Sequence, residues 1–268
     1  MNTVNYNSKF KKAIELAKDK DLFLGSGNPN AKIALVGKEA AIDLLKFSDQ
    51  HKREIINNAA DWDSNYDNKI QFSEIDNWFT LPKYNPLYPY KGQKNNVESR
   101  NETGDIIGGR GGTSKTWYNY QKIIDKVHFN DIPSKLINFH EYAFITELNQ
   151  ITGSYSKNVP KKIRKDSITK RKELFKEPFF KDFTITIIAV GHYVRDFDID
   201  LQNIFQVKFH EQHSKELSES LNKEYINVHY NDLEKPTKLL IHTNQLSMVS
   251  NELINRLGKF CNDFKKLV

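Results

Sequence analysis

The chain has 268 residues and a mass of 31.3 kDa, with 38% hydrophobic and 12% aromatic residues and a mean hydropathy of -0.66, enough for a core but far from a membrane composition. No stretch approaches the roughly 18 apolar residues of a membrane helix, and the opening residues lack the apolar segment of a signal peptide, so a cytoplasmic protein with no membrane partner is expected. Cys261 is the single cysteine, which excludes an intramolecular disulfide, a four-cysteine iron–sulfur site and a Cys-rich zinc site, while the net charge of +6 permits a polyanionic partner without demanding one.

In chain order, "SKFKKAIELAKD" has apolar residues at helical spacing and precedes "KIALVG" (32–37), a short apolar run that reads as a buried strand. A long connection follows. It contains the Pro- and Tyr-rich "FTLPKYNPLYPYKGQK" (79–94) and the Gly-rich "GDIIGGRGGTSKTW" (104–117). The helical pattern "TWYNYQKIIDKV" leads to a second strand, "YAFITEL" (142–148). After it comes a stretch dominated by Lys and Arg, "SKNVPKKIRKDSITKRKELFK" (156–176). A third strand, "ITIIAVG" (185–191), and a fourth, "KLLIHT" (238–243), complete the set, and "LSMVSNELINRLGKFCNDFKKL" closes the chain as a helix.

Apolar runs without alternation suit central strands covered on both faces, and strands interleaved with helices imply βαβ crossovers. The expected fold is a three-layer α/β/α sandwich around a mostly parallel four-stranded sheet. It should form a single domain over 1–268 with insertions at about 60–115 and 153–180. In such sheets the ligand site lies beyond the carboxyl ends of the strands. That rule gathers Gly37, Lys38 and Glu39; Glu147, Leu148, Asn149 and Gln150; Gly191 and His192; and His242, Thr243 and Asn244 on one rim.

Two short patterns compete for attention. "GGRGGTSKT" nearly spells a P-loop from Gly109 to Thr116, but Ser114 replaces the second required Gly and no apolar strand precedes it. Its alternative use is to hold phosphates, through the backbone N–H groups of Gly111 and Gly112 and the charges of Arg110 and Lys115. Asp63, Asn65, Asp67 and Glu74 fall at calcium-loop spacing with Ile70 at the apolar position, yet Asn68 stands where the sharp turn needs Gly and no partner loop is visible. No metal and no cofactor are expected.

The first and last rim segments, "ALVGKEAAID" and "HTNQLS", resemble the motifs of the uracil-DNA glycosylase superfamily. The family's last motif reads His-Pro-Ser-Pro-Leu-Ser and is matched here at His242, Leu246 and Ser247 without a gap; both of its prolines are absent, as is the proline of the first motif. The resemblance implies an enzyme that flips a base out of DNA and hydrolyses its N-glycosidic bond without metal, as a monofunctional glycosylase. It assigns Glu39 to stabilising the cationic sugar and positioning water, and His242 to hydrogen-bonding the departing base. Leu246 matches the wedge that fills the vacated stack, and Ser247 a phosphate contact.

The second strand departs from the family pattern. Glu147 stands where the base-reading Asn is usual, with Asn149 two positions on. An ionised carboxylate accepts hydrogen bonds only, which suits the exocyclic amine of a cytosine-type base. Since plain cytosine cannot be excised safely, the resemblance points to a modified cytosine in phage DNA and a role in antiphage defence. Tyr88 or Tyr90 is expected to stack on the flipped base. Lys161, Lys162, Arg164 and Lys165, in the basic run from Lys157 to Lys176, are expected to contact phosphates. His192 is a weaker candidate at the rim. The expected state is a monomer bound to DNA. A binding protein without activity, a uracil-repair glycosylase and an enzyme of free nucleosides remain open alternatives.

Overall fold

In a computed structural model, residues 3–153, 158–213 and 224–268 are described. The elements in chain order are α1 (Ser8–Asp19), β1 (Ser26–Gly27), β2 (Ile33–Gly37), α2 (Ser48–His51), α3 (Asn58–Asn68), β3 (Ser99–Arg100), β4 (Ile106–Gly108), α4 (Lys115–His128) and β5 (Ala143–Glu147). They continue with α5 (Lys161–Phe175), α6 (Pro178–Lys181), β6 (Ile185–Ala189), α7 (Tyr193–Asp196), α8 (Leu201–Phe205), β7 (Lys208–His213), β8 (Ile226–Tyr230), β9 (Leu239–Thr243) and α9 (Asn251–Leu267). A π-helical turn, Lys52–Ile56, joins α2 to α3.

The main sheet has seven strands in the order β1-β5-β2-β6-β9-β8-β7, not the four expected. The four expected strands form its parallel centre, β5-β2-β6-β9. Three antiparallel strands extend it, β1 at one edge and β8 with β7 at the other. The apolar runs are continuous because both faces of this centre are covered. Along β2, Ala34 and Val36 face one core with α1, α3 and α5, while Ile33 and Leu35 face the other with α4 and α9.

The helices begin where the chemistry allows. Asn7 accepts from the Phe10 N–H at 2.9 Å and starts α1, whose Phe10, Ala13, Ile14 and Ala17 lie buried at helical spacing. Ser250 accepts from the Leu253 N–H at 3.1 Å, so α9 starts at Asn251. The last helix is thus shorter than "LSMVSNELINRL" suggests, and Leu246 to Val249 form a loop.

The calcium spacing does not form a loop. Asp63, Asn65 and Asp67 sit on α3; Asp63 pairs with Lys11 and Lys18, Asn65 with Asn85, and Glu74 caps the Gln71 N–H. Among the described residues no cluster of His, Cys, Asp or Glu is arranged to hold a metal ion, and no helix is long and apolar enough to cross a membrane. Residues 154–157 of the second expected insertion, including Lys157, lie outside the described residues.

Candidate active site

The parallel strands deliver their C-terminal residues to one rim. Gly37 of β2 pairs in register with Glu147 of β5, and a Cβ on Gly37 would lie 2.2 Å from Glu147 Oε2. The missing side chain is therefore the space in which the Glu147 carboxyl sits. The backbone then runs on as a short extra ladder, the Leu148 N–H donating to the Gly37 carbonyl and the Asn149 N–H to the Lys38 carbonyl, both at 2.8 Å.

Glu39 is half-buried and held from two sides. Its Oε2 accepts from Asn149 Nδ2 at 3.2 Å and from the Tyr193 hydroxyl at 2.8 Å. Arg164 Nη1 donates to that same hydroxyl at 2.9 Å, so a chain of hydrogen bonds runs from α5 through α7 to Glu39. Lys38, one residue earlier, is only 8% exposed, with its Nζ 4.8 Å from the centre of the Tyr193 ring. Burial lowers the pKa of this amine; the Glu39 charge opposes the shift and Arg164 adds to it.

Two strands away, His242 is buried near the end of β9. Its Nε2 donates to the Gly191 carbonyl at 2.8 Å, which leaves Nδ1 to accept from Asn227 Nδ2 at 3.4 Å; the Tyr225 hydroxyl lies 3.0 Å from Nε2. Burial pushes the imidazole pKa down to about 4, so it is neutral at physiological pH. A cavity of about 920 Å³ opens beside it, lined by Lys38, Gly191, His192, Tyr225, Asn227 and Ser247, among others. Its polarity has a simple origin. On β8, Ile226 and Val228 face the core, which turns Asn227 and His229 to the opposite face.

Glu147 is in an unexpected state. Burial, reinforced by the nearby Glu39 charge, raises its pKa to about 8, and its Oε2 is sealed without a hydrogen-bond partner. The Arg171 charge opposes this shift without bonding the carboxyl: the guanidinium donates to the Glu147 main-chain carbonyl and to the Thr146 hydroxyl. A neutral carboxylic acid has one donor and one acceptor, so it can pair with a cytosine edge or, turned over, with a uracil edge. The expectation that an ionised Glu147 selects an exocyclic amine is thereby corrected for neutral pH.

Several expected roles change with the contacts. Leu246 is fully buried in the core beneath α4 and α9, its carbonyl held by Asn119 Nδ2 at 2.7 Å, so it cannot be a wedge. Met248, 82% exposed and lining the cavity, is the protruding apolar side chain of this loop. Asn149 has no free edge for a base, because its amide donates to Glu39 and the Ile151 carbonyl and accepts from the Ile151 N–H. Tyr88 is buried with its hydroxyl on the Ile137 carbonyl. Tyr90 is bonded to Glu54 and packed against Trp78, Tyr84 and Trp117. Neither tyrosine touches Glu39, Glu147 or His242 among the described contacts.

The glycine loop is likewise used internally. The Gly111 N–H donates to Glu98 Oε2 at 2.9 Å and the Gly112 N–H to the Gly109 carbonyl at 2.7 Å, which leaves neither for a phosphate. Arg110 and Lys115 remain exposed. Arg164 turns inward to Tyr193 instead of outward to a phosphate, whereas Lys161, Lys162 and Lys165 are exposed on the first turns of α5. Ser247 lines the cavity, and His192 stands exposed at its wall, 3.5 Å from Asp196.

Sequence reasoning placed Lys38 on the rim without giving it a role, and passed over Tyr193, Tyr225 and Asn227 as site residues. Tyr193 directly follows the rim residue His192, and the alternation in "INVHY" would have exposed β8 and its polar face. Neither a family model nor a curated protein matches the chain, so the reading of this site rests on its geometry.

Proposed function

We propose that this chain is a DNA glycosylase with a uracil-DNA glycosylase-like architecture. It flips a modified, cytosine-type base and hydrolyses the N-glycosidic bond, leaving an abasic site, in defence against phage DNA. One observation carries the reading: a carboxylate, Glu39, held by two donors, shares a strand-end rim with a neutral buried imidazole, His242, and the cavity beside His242 is lined by Lys38, the residue that precedes Glu39.

Bond cleavage develops positive charge on the sugar and negative charge on the base. Glu39 stabilises the first and orients water, and an N–H donor meets the second. The one N–H of a neutral His242 is held by the Gly191 carbonyl, so meeting the base requires exchanging that bond, and the Tyr225 hydroxyl beside it faces the same cavity as a second donor. A volume of about 920 Å³ is at the upper end of the usual 300–1,000 Å³ for ligand pockets, which leaves room for a base with a substituent.

Phosphate contact is supported by the start of α5. Lys161, Lys162 and Lys165 occupy the positive end of the helix dipole with no acidic residue in the first turn. That placement is unfavourable for an isolated helix and favourable once an anion docks there.

The test is abasic-site formation, scored by alkali-labile breaks on plain, uracil-containing and modified-cytosine phage DNA. Breaks confined to one substrate and lost in both Glu39→Gln and His242→Ala support the proposal. Tight DNA binding with no breaks overturns it in favour of a binding protein, a reading that has its own observation: His242 Nε2–H is already engaged by Gly191.

A further inference from the structure

Lys38 occupies a position that the hydrolytic reading does not use. It follows β2 directly, precedes Glu39, and lines the cavity that His242 also lines. A Cβ added to Gly191, whose carbonyl holds His242, would come within 3.9 Å of the Lys38 Nζ. The amine thus stands between the two groups given catalytic roles. Lysines are rarely buried unless paired. This one is 8% exposed, and among the described residues it has the Tyr193 ring face as its contact and no hydrogen-bonded carboxylate.

We infer that Lys38 is an amine nucleophile that forms a Schiff base with the deoxyribose aldehyde of an abasic site held in this cavity. The inference rests on the proposal that this site handles deoxyribose at a lost base. Burial favours the free amine, the form that attacks.

In the reaction, the Nζ lone pair bonds to C1′ of the ring-opened sugar, and the carbonyl π pair moves to oxygen. Proton transfers from nitrogen to oxygen and loss of water leave a C1′=N iminium. Water takes a C2′ proton, the C–H pair forms the C1′=C2′ enamine, and the nitrogen lone pair restores C1′=N as C2′=C3′ forms and the C3′–O pair leaves with the 3′-phosphate. Hydrolysis of the resulting conjugated imine returns the amine. The only co-reactant is water.

The experiment uses a duplex with one preformed abasic site and sodium borohydride, which delivers hydride to the iminium carbon and fixes the protein to DNA as a secondary amine. The wild-type protein is expected to give a covalent band on a denaturing gel, lost in Lys38→Met and unchanged in Lys20→Ala. Mass spectrometry of the wild-type adduct is expected to place the modification on Lys38, a result that does not depend on the variant folding. No wild-type adduct, an equal yield from folded Lys38→Met, or an adduct on another amine overturns the inference. Because the abasic site is supplied, adduct formation without any base excision sinks the glycosylase reading and leaves Lys38 standing. Excision without an adduct does the reverse.

Discussion

Replacing Glu147 by glutamine removes a titration and leaves the shape of the site nearly intact. A rise from the ordinary 4.5 to about 8 favours the neutral acid by about 5 kcal/mol. The folded state keeps this proton to higher pH than the unfolded chain does. Stability is therefore lost as pH rises from about 4.5 to about 8, by at most about 1.4 kcal/mol per pH unit, and is flat above. About 5 kcal/mol is a ceiling. Oε2 is sealed, but the residue as a whole is half-buried, and whatever part of it meets solvent is screened.

The assay is urea denaturation of wild type and Glu147→Gln at intervals from pH 5 to 9. Buried His242 and His140 and half-buried His128, with pKa values pushed down to about 4, 3 and 4, contribute stability that rises as pH rises towards 6.5. They are common to both proteins and cancel in the difference. The glutamine variant is expected to gain on the wild type by several kcal/mol between pH 5 and 8. Parallel curves would refute the claim that Glu147 is held neutral.

Other substitutions separate packing from chemistry. Leu246→Ala is expected to cost about 2–5 kcal/mol in denaturation, as a buried leucine should. Met248→Ala is expected to stay within about 0.5 kcal/mol of wild type while weakening base flipping, read by fluorescence of a 2-aminopurine beside the target. Tyr193→Phe removes one donor to Glu39, a charge-assisted bond of about 1.5–3 kcal/mol, so kcat should fall about 10- to 100-fold with KM unchanged; an equal change in KM would assign Tyr193 to binding. Replacing Lys161, Lys162 and Lys165 together by alanine should reduce the slope of log affinity against log salt by about three, measured on any DNA sequence.

The central sheet was legible because burial on both faces writes long apolar runs, and the rim followed from the rule for strand ends. The edge strands were less legible. β7, with the sequence "KFHEQH", is exposed and polar, and β8 offers two of its five residues to the cavity. Leu246 misled for a physical reason: Leu246, Val249 and Leu253 fall at helical spacing, but Ser250 captures the Leu253 N–H and starts the helix later. Asn149, Gly111 and Gly112 misled in another way. Their chemistry was read correctly, yet their hydrogen-bonding capacity is taken up by Ile151, Glu98 and Gly109, partners that only the folded chain brings together.

The seat of Glu147 over Gly37 ties two positions 110 residues apart into one unit of inheritance. A Cβ on residue 37 would displace Glu147 Oε2 from its seat, so alanine at position 37 is accommodated only by moving or shortening the side chain at 147. Substitutions at the two sites should therefore be strongly non-additive. Related chains that carry a side chain at 37 should also carry a shorter or repositioned residue at 147. A lineage that shortens residue 147 is thus free to alter the end of the neighbouring strand, where Lys38 and Glu39 are carried.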